Sequence, residues 1–187
     1  MMKKLFYFLV IAGFVFSFSF AFAQTAQDYF NSGNAELKVQ NYDKAIEFFT
    51  KAIELNPKYD SAFCNRGTAY YNKAMLHTND KEDLNLAIKD YTSAIELNKY
   101  DPDYYLFRGS VYEKLGDYFK ALNDYDLAIT LNPQDEYYYL IRSQALRNSG
   151  NYEKALYDIY KAIDLDPSLK GDYNIQKEIK DLKFMIK

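Results

Sequence analysis

Cysteine and histidine are nearly absent from this chain of 187 residues, which has one of each and no tryptophan. A single cysteine, Cys64, cannot form a disulfide within the chain, so stability has to come from packing. One histidine, His77, and one cysteine cannot supply the usual ligand set of a structural zinc site. We therefore expect no metal and no cofactor, with Cys64 a small semi-buried helix residue and His77 a solvated side chain.

Clusters of basic residues are also missing from the chain. It has 23 Lys and Arg against 26 Asp and Glu, a net charge of −3. Binding to nucleic acid depends on concentrated positive charge, so we predict no nucleic-acid partner. There is no glycine-rich phosphate loop, and no pair of carboxylates stands alone in an apolar setting. The sequence offers no catalytic constellation, and we predict that the protein is not an enzyme.

The first 23 residues contain the one long hydrophobic run. Lys3 and Lys4 precede an almost wholly apolar stretch at 5–22, and residues 21–23 form a small-x-small site. This pattern is typical of a secretory signal peptide. The apolar stretch also reaches the lower limit for crossing a bilayer, so an uncleaved anchor is the alternative. We expect an exported protein, periplasmic or secreted, with membrane association only if residues 1–23 are retained.

A string of residues recurs along the rest of the chain. Residues 118–133 read YFKALNDYDLAITLNP, close copies lie at 42–57 and 152–167, and a more divergent copy lies at 84–99. One alanine in each copy marks a spacing of 42, 34 and 34 residues: Ala45, Ala87, Ala121 and Ala155. A fixed period in this range indicates a repeat architecture.

Each copy reads as the second helix of a two-helix unit. In the third copy, Leu122, Tyr125 and Ile129 follow the 3.6-residue period of an amphipathic helix. A preceding helix is predicted over 103–115, with Gly109 in its middle, where glycine costs about 1 kcal/mol relative to alanine. Close contact with the neighbouring helix would offset that cost. The unit is therefore a helix–turn–helix.

This unit resembles the tetratricopeptide repeat family. The resemblance rests on the small residue of the first helix, the aromatic after the turn, the alanine pairs and the closing proline: Gly33, Gly67, Gly109 and Ser143; Tyr42, Tyr118 and Tyr152; Ala45 and Ala52 with their equivalents; and Pro57, Pro133 and Pro167. It implies an all-α solenoid of four units, 26–59, 60–101, 102–135 and 136–169. A capping helix over 170–187 would follow.

Two segments depart from the simple repeat. The second unit carries eight extra residues between its helices, which we expect to lengthen both helices by about a turn, with Asn79 and Glu82 as a capping box at the second. A tolerated loop insertion is the alternative. The C-terminal segment has one apolar stripe, Ile175, Ile179, Leu182 and Ile186, which suits a helix that covers the end of an array. A membrane-surface helix is the alternative there.

An arginine and an aspartate recur together. Arg66, Arg108 and Arg142 precede the small residue of the first helix, and Asp90, Asp124 and Asp158 occupy matching places in the second. The first unit lacks both and has Ser32 and Phe48. Because the two residues appear and disappear together, we predict that each arginine pairs with the aspartate of its own unit as a structural brace.

The resemblance also implies a site. First helices in this family line a concave groove that binds a peptide or helix of a partner protein. The candidate groove residues are Phe30, Asn34, Leu37, Lys38, Cys64, Thr68, Tyr71, Asn72, Leu106, Ser110, Lys114, Leu140, Gln144, Arg147 and Asn148. One branch of the family clamps a C-terminal carboxylate with basic residues, but Phe30, Asp103 and Phe107 stand at those positions here, so we expect no clamp.

The resulting prediction is an exported, non-catalytic scaffold for protein–protein interaction, with an unknown protein partner. Two alternatives remain open. One is a glycan-binding or cell-wall-binding module that uses the groove tyrosines, and the other is an accessory subunit of a membrane-associated complex. Repeat arrays share one fold across unrelated tasks, so the fold alone does not choose between them.

Overall fold

The computed structural model describes residues 24–76 and 80–187, and in these ranges the chain forms nine α-helices, one 3₁₀ helix and no strand. The helices are α1 (Ala26–Lys38), α2 (Tyr42–Leu55), α3 (Asp60–Leu76), α4 (Lys81–Leu97), α5 (Pro102–Lys114), α6 (Tyr118–Leu131), α7 (Glu136–Asn148), α8 (Tyr152–Leu165) and α9 (Tyr173–Met185), with the 3₁₀ helix at Pro167–Gly171. Each helix packs mainly against its neighbours in chain order. The predicted all-α solenoid with a C-terminal helix is confirmed.

The predicted leader, residues 1–23, and His77 lie outside the described residues. Among the helices that the structure does describe, none combines the length and the apolar character needed to cross a bilayer.

Turns of two kinds separate the helices. Inside the first, third and fourth repeats the chain turns through a positive φ, at Gln40 (62°), Gly116 (79°) and Gly150 (82°). Glycine adopts this conformation without steric cost, which explains its place after α5 and α7. Between repeats, the side chain of an Asn or Asp accepts a hydrogen bond from the backbone two residues on. Asn98 does so from Tyr100 at 3.2 Å, so this turn forms without the proline found in other repeats.

The second repeat has the longest helices of the array. Its α3 and α4 have 17 residues each, against 13 and 14 in α5 and α6 of the third repeat. The prediction that Asn79 caps α4 is wrong. Helix α4 begins at Lys81, and Asp80 is the residue before it, where its side chain accepts a hydrogen bond from the Glu82 N–H at 2.8 Å.

Small residues decide how closely the two helices of each repeat pack. All eight alanines of the pairs have no exposed surface: Ala45, Ala52, Ala87, Ala94, Ala121, Ala128, Ala155 and Ala162. Glycine allows a still closer approach of the two helices. A Cβ built at Gly33 would lie 2.6 Å from a ring carbon of Phe49, and one at Gly109 would lie 2.7 Å from a ring carbon of Tyr125. The close helix contact that the sequence predicts at the mid-helix glycine is therefore confirmed, and the ring of the second helix makes it.

The C-terminal helix α9 covers the fourth repeat. Ile179 and Leu182 are buried in a cluster with Ile159, and Ile175 packs against its edge. Ile186, the fourth member of the predicted stripe, follows the last residue of the helix and is 37% exposed, so it does not continue the packed face. The predicted stripe is therefore one residue too long, because the helix ends at Met185.

Candidate functional site

The arginines and aspartates meet as bidentate ion pairs. In the third repeat the Arg108 Nε and Nη2 atoms donate to the two carboxylate oxygens of Asp124 at 2.9 and 2.8 Å. Arg66 and Asp90 are joined in the same way, as are Arg142 and Asp158. The aspartates are between 1% and 4% exposed. Each carboxylate is thus buried with two charge-assisted hydrogen bonds, and the bond to Asp124 raises the pKa of Arg108.

Each arginine also reaches the preceding repeat, a contact that sequence reasoning missed. The remaining amino group, Nη1, donates from Arg66 to the Thr50 hydroxyl at 3.0 Å and from Arg108 to the Thr92 hydroxyl at 3.1 Å. Arg142 bonds the Asp126 carboxylate at 2.6 Å in the equivalent way. These acceptors share one register in the second helices, so the repeat alignment could have found them. The brace therefore joins neighbouring repeats as well as the helices of one repeat.

A cavity of about 470 Å³ opens where the first helices of the second, third and fourth repeats converge. Its lining residues are Tyr71, Ser110, Glu113, Lys114, Tyr118, Tyr125, Ile141, Gln144 and Asn148, and we refer to it as the groove cavity. Five candidate groove residues lie in this lining: Tyr71, Ser110, Lys114, Gln144 and Asn148. Three successive repeats thus contribute side chains to one concave surface.

The candidate residues of the first repeat are engaged elsewhere. Phe30 packs against Phe49 and Tyr59, with ring centroids 5.8 and 4.8 Å apart. Asn34 accepts a hydrogen bond from Asn65 at 2.7 Å, and Leu37 packs at the edge of the Phe49 cluster. Asn34 therefore joins the first repeat to the second, Phe30 packs on rings of its own repeat, and Lys38 beside them is exposed.

Two candidates have no usable surface. Cys64 and Leu106 belong to core clusters and are each 4% exposed, so we remove both from the candidate groove. Burial also raises the pKa of the Cys64 thiol, which keeps it protonated and a poor nucleophile. Asp103, at a position where a carboxylate clamp would need a cation, accepts a hydrogen bond from Tyr138 at 2.6 Å.

The other four candidates are not part of the lining of the groove cavity. Thr68 is half-buried and shares a hydrogen bond of 3.0 Å with the buried Tyr91 hydroxyl. Asn72 and Leu140 are half-buried. Arg147 is exposed, and its Nη1 lies 4.0 Å from a carboxylate oxygen of Glu178 in α9, which directs it toward the capping helix.

Glu113 is one of four lining residues that were not among the candidates, with Tyr118, Tyr125 and Ile141. Its carboxylate accepts hydrogen bonds from the Tyr125 hydroxyl at 3.0 Å and from the Asn148 amide at 2.9 Å. It lies four residues after Gly109, the register that Tyr71 and Arg147 hold in their own repeats, so aligning the first helices would have found it. Burial, with a further contribution from the charge of Glu113, raises the pKa of Tyr71.

Residues suited to metal binding do not converge in the described part of the chain, where no three His, Cys, Asp or Glu side chains are grouped to hold an ion. Every buried side-chain nitrogen or oxygen in residues 24–76 and 80–187 has a hydrogen-bond partner. The chemistry available at the groove cavity is therefore recognition by rings, amides and two opposite charges.

Comparison with protein families matches models described as tetratricopeptide repeat to residues 26–59, 67–101, 102–135 and 136–169. The chain belongs to the tetratricopeptide repeat family. Repeats of this family indicate a scaffold for protein–protein interaction, and its members are generally non-catalytic. The match begins at residue 67 in the second repeat, which is the repeat with the lengthened helices.

Known relatives match the chain in part. The human small glutamine-rich tetratricopeptide repeat-containing protein alpha is 53% identical over 38 residues, which are 20% of this chain and 12% of that protein. The chain therefore covers a small part of the length of that relative. Among solved structures, a thermophilic TPR protein of Thermus thermophilus has a TM-score of 0.71 at 19% identity, and the match covers 86% of this chain and 82% of that protein.

A second structure, YrrB, is described as a TPR protein with an unusual peptide-binding site. It has a TM-score of 0.66 at 24% identity, over 84% of this chain and 75% of its own. At these identities both structures support the tetratricopeptide repeat fold of this chain.

Proposed function

We propose that the groove cavity binds a segment of a partner protein, either an extended peptide or a helix. The observation that carries this proposal is the groove cavity itself, which has a volume of about 470 Å³ and is lined by residues of α3, α5 and α7. The same fold in YrrB carries a peptide-binding site, which supports the choice of a peptide over other ligands.

The braces support a rigid binding surface. Arg108 and Arg142 each bond the second helix of their own repeat and that of the repeat before it. These bonds hold the second, third and fourth repeats in one arrangement, and those three repeats line the groove cavity. A surface that is already in its binding geometry loses less entropy when the partner docks.

A glycan-binding module is less well supported by the same cavity. Of the three tyrosines in its lining, Tyr125 has no exposed surface and offers no ring face to a sugar. Its hydroxyl is also bonded to Glu113. The experiment therefore has to distinguish binding of a peptide from binding of a glycan.

Photocrosslinking from the full chain in its own cells tests where the partner binds. A photoreactive phenylalanine analogue replaces Gln144, an exposed residue of the groove cavity, or Lys161, an exposed residue of α8 outside that lining. We expect Gln144 to give an adduct with one defined protein and Lys161 to give none, and Tyr71→Ala to abolish the adduct. Two results would overturn the proposal. One is an adduct that forms from Lys161 alone, and the other is an adduct that contains wall polysaccharide and no second protein.

Export is a second part of the proposed function, and it rests on residues 1–23. N-terminal sequencing of the protein recovered from its host tests it. A chain that begins at Gln24 supports cleavage and release. A chain that begins at Met1 and pellets with membranes supports the alternative, an anchored accessory subunit.

A further inference from the structure

We propose that the groove cavity takes a lysine or arginine side chain of the partner segment, with Glu113 as its counter-ion. This inference rests on the proposed function, because it requires that a partner segment binds in the groove cavity. It adds the chemistry of that partner, a cationic residue at the point where the segment crosses α5.

Glu113 is held in place before any partner arrives. Tyr125 donates to one of its carboxylate oxygens at 3.0 Å, and Asn148 donates to the other at 2.9 Å. A carboxylate has about four acceptor sites, so about two remain for an incoming donor. Because each oxygen already has one donor, the carboxylate is oriented, and an arginine can meet both oxygens at once.

Aromatic rings complete the environment that a cation prefers. Tyr71 of α3 and Tyr118 of α6 line the groove cavity with Glu113. Both belong to helices that pack against α5, which carries Glu113. An ammonium or guanidinium group gains from the face of a tyrosine ring in addition to its counter-ion.

The other charged groups near the groove cavity do not favour an anionic partner. Lys114 is the cation of the lining, but it is exposed at the last residue of α5, where water screens its charge. Arg147 is directed to Glu178 at 4.0 Å. Glu113 is half-buried and is the carboxylate in the described lining, so a partner carboxylate placed there would meet a like charge.

Selection from a library of random 12-residue peptides, displayed on phage and panned against the full chain, tests the inference even though the partner is unidentified. We expect the selected peptides to share a lysine or arginine at one aligned position. The affinity of one selected peptide is then compared with that of the same peptide carrying norleucine or citrulline there. We expect about a tenfold loss, since a hydrogen bond to a charged group is lost.

The matching change on the protein is Glu113→Gln, which keeps the size of the side chain and an oxygen for Tyr125 to bond. We expect it to weaken binding of the cationic peptide about tenfold and to leave the norleucine peptide unchanged. Glu54→Gln on α2, an exposed carboxylate outside the lining, is the control and should change neither. Circular dichroism establishes that both variants are folded.

Each outcome separates this inference from the proposed function. Peptides that compete with one another and no longer bind to Tyr71→Ala, but share no cation, overturn the cationic site and leave groove binding intact. If the peptide requires its cation but binds Glu113→Gln as tightly as the unchanged protein, another carboxylate binds the cation. That result overturns the role of Glu113. If the library yields no peptide that depends on Tyr71, both proposals are wrong.

Discussion

The first repeat and the three that follow have the same two-helix fold, but different residues join the two helices at one position. Repeats two to four bury an aspartate under an arginine, whereas the first has Phe48 and Ser32 at these positions. Phe48 lies beside Tyr29, with ring centroids 6.4 Å apart, and Lys51 lies 5.9 Å from its ring. An aromatic contact at the edge of the array thus replaces an ion pair in its interior.

The contacts of the arginine explain the difference. Arg66, Arg108 and Arg142 each need an acceptor in the preceding repeat, and no repeat precedes α1 among the described residues. At the other end, Tyr160 holds the register of Thr50 and Thr92, and Lys183 of α9 lies 5.7 Å from its ring. The arginine is therefore a residue that joins neighbouring repeats.

Removing the arginine from an interior repeat should have the largest effect. Arg108→Leu leaves the carboxylate of Asp124 buried without its counter-ion, and we expect a loss of about 3–5 kcal/mol in the free energy of unfolding. Replacing Arg108 and Asp124 together by leucine should cost less than Arg108→Leu alone. Urea denaturation followed by circular dichroism measures both.

The matched control uses the equivalent position of the first repeat. Ser32→Leu removes no ion pair and should change stability by about 0.5 kcal/mol or less. If Arg108→Leu and the aspartate substitution contribute additively, the two residues do not form a brace, and the contrast between the repeats would lose its basis.

A second prediction concerns the small residue that faces the ring. The first repeat has Gly33 against Phe49, whereas the fourth has Ser143 and Ile159 at these positions. Gly33→Ser should cost about 1–3 kcal/mol, because the added atoms overlap the ring. Combining it with Phe49→Ile should cost less than the sum of the two single substitutions. A double-substitution cycle by urea denaturation measures the coupling, and additive losses would contradict the proposed contact.

The smallest expected effect isolates the bond between repeats. Thr92→Val removes the acceptor of Arg108 but leaves its pair with Asp124, and we expect a loss of about 1 kcal/mol. Thr130→Val is the control, because both hydroxyls donate to the backbone carbonyl four residues earlier at 2.7 Å and only Thr92 also accepts from an arginine. Equal losses in thermal melts would show that the bond between repeats contributes nothing.

Sequence reasoning located the repeats because their period and their alanines are visible in one chain. It paired each arginine with its own aspartate, which is where the structure places the ion pairs, because the two residues vary together. It missed Thr50, Thr92 and Asp126 because only their shared register in the repeats marks them, and a threonine or aspartate on a helix surface does not by itself indicate a hydrogen bond to a neighbouring repeat. It also included Cys64 and Leu106 in the groove, although both are buried in the core.

Helical periodicity and the repeat period are visible along the chain, so they were enough to predict a helical repeat array with a C-terminal helix over its last repeat. The hydrogen bonds that hold the residues of the groove cavity in place depend instead on the tertiary structure. Glu113 gains its place from Tyr125, 12 residues later, and from Asn148, 35 residues later. Such bonds depend on how α5, α6 and α7 cross, and no local pattern of residues specifies that geometry.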